Sequence, residues 1–94
     1  MKATETCARI EDALQRSKDA WEDVSALAAE WDEWDADSRL HLEIEWSIQE
    51  GLLAQLADWH TRGKMRESQA DRYHELLDLV AVQRPLLDRL FAEI

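Results

Sequence analysis

Three histidines set among twenty-one carboxylates are the side chains best suited to chemistry in this sequence. Asp37, His41 and Glu45 recur at intervals of four, so a helix would stack them on one face, a spacing that can hold a divalent ion. Asp71, His74, Glu75 and Asp78 make a second such cluster. Nucleophilic chemistry has less to draw on. Cys7, the lone cysteine, falls on an apolar helical spacing, where a free thiol behaves as a small hydrophobe. Two glycines cannot build a phosphate-cradling loop, and no basic stripe interleaved with aromatics suits nucleic acid. The basic run Arg62, Lys64, Arg66 is closed off by Glu67 and Asp71 and reads as a solvated turn.

Two further carboxylate pairs, Glu30-x-x-Glu33 and Glu75-x-x-Asp78, resemble the magnesium-binding pairs of the all-helical MazG-like nucleotide pyrophosphohydrolases. The resemblance covers four residues and implies a metal-dependent nucleotide hydrolase. Magnesium requires its carboxylates to converge within about 2 Å of one ion, so the test is whether the elements bring these pairs together.

Those elements are legible in the apolar spacing. Ala3, Cys7, Ile10, Leu14, Ser17, Trp21, Val24, Ala28 and Trp31 alternate at four and three, a heptad seam that predicts one long amphipathic helix over about 3–33. The cluster Asp35-Ala36-Asp37-Ser38 ends it, and Asp37 or Ser38 suits the N-cap of a second helix over about 38–61. Gly63 stands just past that helix, where a left-handed C-cap belongs. A third helix over about 66–93 carries Tyr73, Leu76, Leu77, Val80, Leu87, Leu90, Phe91 and Ile94, with Pro85 expected to kink or break it. Short turns between long helices predict an all-α, antiparallel up-down-up three-helix bundle. Residues 40–48, LHLEIEWSI, complicate this. They alternate apolar and polar as a half-buried strand would, and only a second copy of the segment offers such a strand a partner.

On this bundle His60, His74 and His41 fall about 12 and 16 Å apart along the axis at 1.5 Å per residue, too far to share an ion. The two MazG-like pairs separate by a similar distance. The expectation is therefore a chain with no catalytic residues, no metal site and no cofactor.

Read as a helix, the second element is apolar around most of its circumference. Leu40, Ile44, Ile48 and Leu52 form one stripe, which Trp59 extends and which is expected to be core. Leu42, Trp46 and Leu53 form another, expected to be the surplus face for self-association. Trp21 and Trp31 lie on the first helix's seam and are expected to be core.

Charge points the same way, toward a partner. The chain carries a net −10, and residues 30–50 hold eight acidic side chains against Arg39 alone. The turn bearing Asp32, Glu33, Trp34, Asp35 and Asp37 is the candidate partner-binding site, since tryptophan is over-represented in binding hot spots. Antiparallel packing would gather residues 21–57 and 73–94, net −11, at one end, and leave residues 1–20 and 58–72, net +1, at the other. Such acidity disfavours direct binding of nucleic acid or anionic membrane and favours basic surfaces. No apolar run reaches membrane-spanning length and no targeting segment is evident, so the expected location is the cytoplasm. The function expected is protein–protein interaction by a homodimer. The alternative is an acidic nucleic-acid mimic that inhibits a nucleic-acid-binding protein, as a phage anti-defence factor would.

Overall fold

The computed structural model describes residues 2–94, with side chains described from Thr4 onward; Ala3, the first seam position, lies outside those side chains. Among the described residues there are only helices: α1 (Lys2–Glu22), α2 (Val24–Glu30), a single 3₁₀ turn (Trp31–Glu33), α3 (Ala36–Thr61) and α4 (Glu67–Ala92). The alternating segment 40–48 is helical, inside α3. Its alternation arises because a helix buried on one face and partly apolar on the other produces the same pattern over nine residues.

The expected first helix is bent at Asp23, which separates α1 from α2. Asp23 keeps helical dihedrals, and its amide still donates to the Asp19 carbonyl at 3.2 Å, so the axis bends without unwinding. Gln83 of α4 is lodged against this point, its Nε2 donating to the Trp21 carbonyl at 3.3 Å and to Ser25 Oγ at 2.9 Å. A side chain inserted beside the i→i−4 ladder is a recognised cause of such bends. The heptad seam runs through both pieces. Ile10, Leu14, Ser17, Trp21, Val24 and Trp31 are all buried.

Asp35, rather than Asp37 or Ser38, caps α3. It holds extended dihedrals and accepts from the Ser38 amide at 2.7 Å. The same bond holds its carboxyl below the ordinary aspartate range. At the far end Gly63, at φ +70°, closes the helix, with the Lys64 amide donating to the Trp59 carbonyl at 2.9 Å. α4 continues through Pro85 to Ala92 without a break.

Along α4 the inward positions Gln69, Tyr73, Leu76, Val80, Gln83, Leu87 and Leu90 repeat at four and three, and all are buried. Two of the seven are glutamines, absent from the apolar pattern read from the sequence. Gln69, fully buried, ties α4 to α1: its Nε2 donates to Glu11 Oε1 at 3.0 Å and to the Cys7 carbonyl at 3.3 Å, while its Oε1 accepts from the Arg66 amide at 2.9 Å. Arg72 also pairs with Glu11. The Gln69 amide, then Arg72, holds the Glu11 carboxyl below its ordinary range. Arg84 joins α4 to α3, reaching Glu50 at 3.0 Å and lying over the Trp21 ring at 5.0 Å.

Candidate functional site

The acidic turn is built on an aromatic chain. Trp34 stacks on Trp31 with ring centroids 5.7 Å apart; Trp31 lies 6.3 Å from Phe91, which lies 6.4 Å from Trp46, and Trp46 meets Trp21 edge-on at 5.1 Å. Five rings thus link the end of α1, the 3₁₀ turn and the residue after it, the first half of α3 and the end of α4. Arg39, the one basic residue of the acidic stretch, fastens the turn. Its guanidinium donates to the Trp31 carbonyl, the Nε at 3.1 Å, and sits over the Trp31 ring at 5.3 Å. A sequence reading that treats Arg39 only as a stray charge misses this role. Its signal was the spacing of eight residues from a tryptophan across a single short turn.

Against this base Asp32, Glu33, Asp35 and Asp37 stand exposed and Trp34 is half-buried. Trp34, Asp37, Ser38, His41, Leu42 and Glu45 line an open groove of about 500 Å³. Its apolar floor and carboxylate rims suit a cationic side chain with an aliphatic stem. His41 Nε2 lies 2.9 Å from Glu45 Oε1, so this member of the Asp37, His41, Glu45 series is already paired within the chain.

The other face of α3 reverses the expected roles of its two stripes. Trp46 is only 7% exposed and belongs to the core, and Leu42 and Leu53 pack against that core. The stripe expected to be core faces outward instead: Leu40 is 47% exposed, and Ile44 and Ile48 are each 64% exposed. Leu52 and Trp59, farther along, are partly buried. The reason is the aromatic chain. Trp46 sits level with Trp21 and Phe91, so burying these large rings together rotates α3 to point Trp46 inward. Helical spacing shows that two apolar stripes exist but does not rank them.

The histidine geometry also needs correcting. His60 and His74, expected about 12 Å apart, have ring centroids 5.3 Å apart, and both rings lie beside Tyr73 at 5.1 and 6.0 Å. The connection between α3 and α4 carries the chain beyond the end of α3, so α4 starts about 9 Å past the level of His60 and comes back alongside it. Even so, among the described residues no group of three or more histidine, cysteine or acidic side chains converges on a possible ion position. The MazG-like pairs stay apart. Trp31, next to Glu30, meets Phe91, which lies sixteen residues along α4 from Glu75, roughly 24 Å.

Comparison of the chain with protein-family models, with curated proteins and with solved structures found no match. No helix among the described residues is long and apolar enough to cross a membrane.

Proposed function

We propose that this chain is a non-enzymatic interaction protein of the cytoplasm that acts as a homodimer, built as an up-down-up three-helix bundle bent at Pro85. The observation that carries the reading is the outward stripe Leu40, Ile44 and Ile48, three large aliphatic side chains on consecutive turns of one helix that each leave about half or more of their surface exposed. Isolated exposed apolar residues are ordinary, but a contiguous run of this kind marks an association face. The up-down-up arrangement is supported by the order of the contacts. Cys7 and then Trp21 meet Gln69 and then Gln83, while Trp46 and then His60 meet Phe91 and then Tyr73.

Light scattering coupled to size exclusion tests the reading. A dimer is expected at tens of micromolar, and Ile44→Glu is expected to give a folded monomer. A wild-type monomer at that concentration would remove the proposal.

The groove at Trp34 favours a second role on the same molecule: capture of a basic protein surface, of the sort a nucleic-acid mimic would make. Reversing the charges of Asp32, Glu33 and Asp37 tests it, with the Asp35 cap left in place. Salt-sensitive binding of an arginine-rich peptide should be lost, and binding unchanged by the reversal would sink the idea.

A further inference from the structure

Gly51 lies in α3 between the outward stripe and Leu52, and a Cβ placed there would meet nothing within 4 Å. Glycine in a helix interior is destabilising relative to alanine. No contact within the chain requires the missing side chain, so the exposed backbone offers a hollow for something from outside. The residues around α3 are also unequal in charge: Asp32, Glu33, Asp35, Asp37, Glu43 and Glu45 crowd its start, while Arg62, Lys64 and Arg66 follow its end.

Resting on the homodimer reading above, the geometry points to one occupant and one register for this face. The partner is a second copy whose α3 runs antiparallel, with Ile44 of each copy opposite Ile48 of the other and Leu40 seated over Gly51 and Leu52. The row 40, 44, 48, 52 then pairs with itself, and the most exposed side chains are the most completely covered. Acidic side chains fall level with neutral ones: Glu43 with Gln49, Glu45 with Ser47, Asp37 with Gln55. Arg62, paired with Asp58 of its own chain at 3.1 Å, falls level with the second copy's residue 30, beside its acidic turn. A parallel pairing would instead set Asp37, Glu43 and Glu45 against their own copies and bring both acidic turns together. Charges more than about 8 Å apart are screened at physiological salt, so this difference selects orientation more than affinity. A single helix-on-helix seam lies at the small end of specific interfaces, so the dissociation constant is expected on the order of micromolar.

Disulfide trapping reads the register directly, because a bridge needs Cα atoms within about 7 Å. In a Cys7→Ser background, the double variant Leu40→Cys, Gly51→Cys should be trapped as a covalent dimer under mild oxidation. Leu40→Cys alone should not, because the two copies of residue 40 lie about 18 Å apart along the axis. Trapping by Leu40→Cys alone shows a parallel pair and overturns the register while the homodimer stands. A dimer by light scattering that the double variant fails to trap also overturns the register. A monomer by light scattering overturns the homodimer itself, and with it this inference.

Discussion

Trp46 shows how a single residue sets the orientation of a whole helix. Its ring meets Trp21 edge-on at 5.1 Å and Phe91 at 6.4 Å, and it is 7% exposed. Truncating a buried aromatic costs about 3–5 kcal/mol, and a carboxylate in its place adds a desolvation penalty. A chain of this length has about 5–14 kcal/mol of total stability at 0.05–0.15 kcal/mol per residue. Trp46→Glu should therefore abolish the cooperative thermal transition followed by circular dichroism, whereas Ile44→Glu, two residues earlier, should leave it intact. Gln69 acts at the same scale. It is fully buried yet satisfied on both sides, by the Arg66 amide and by Cys7 and Glu11. Removing it deletes its hydrogen bonds to the Arg66 amide, the Cys7 carbonyl and Glu11, worth about 0.5–1.5 kcal/mol each; Gln69→Ala should lower the urea midpoint accordingly. Neither the inward glutamines nor the choice of Trp46 could be read from the sequence, because polarity and spacing alone assign glutamine to the surface and leave two apolar stripes equivalent.

At the scale of elements, the start of α3 depends on one ionised group. Asp35 accepts from the Ser38 amide, and this holds its carboxyl below the ordinary value of 3.8. A carboxyl depressed in the folded state contributes stability above its unfolded pKa and loses that contribution as pH falls through the folded value. Thermal stability should thus begin to fall below about pH 4. Asp35→Asn keeps an N-cap acceptor but removes the charge, so it should flatten part of that fall and leave stability at pH 7 little changed. Glu11, also depressed, supplies a further part of the same acid dependence. The bend at Asp23 belongs to this scale as well. The seam through Trp31 was legible because heptad spacing survives a gentle bend; the bend itself was not, because it follows from Gln83 docking against the Trp21 carbonyl from a distant helix.

Across the whole molecule, 46 × 22 × 17 Å in extent, negative charge and exposed apolar surface adjoin at one end. The acidic turn and its groove occupy one end, and the outward stripe of α3 runs from that end toward the middle. Reversing Asp32, Glu33 and Asp37 changes the charge by six units at exposed positions away from the core and leaves the Asp35 cap in place, so it should alter recognition of a basic peptide without altering the fold. Composition and spacing alone determined that the chain is helical, where its apolar seams lie and where its negative charge is concentrated, because these follow from local periodicity and formal charge. Which stripe of α3 faces out, where α4 starts relative to His60, and which glutamines are inside were decided only by tertiary structure. Each depends on how large rings and buried amides from separate helices meet, and no local pattern encodes that meeting.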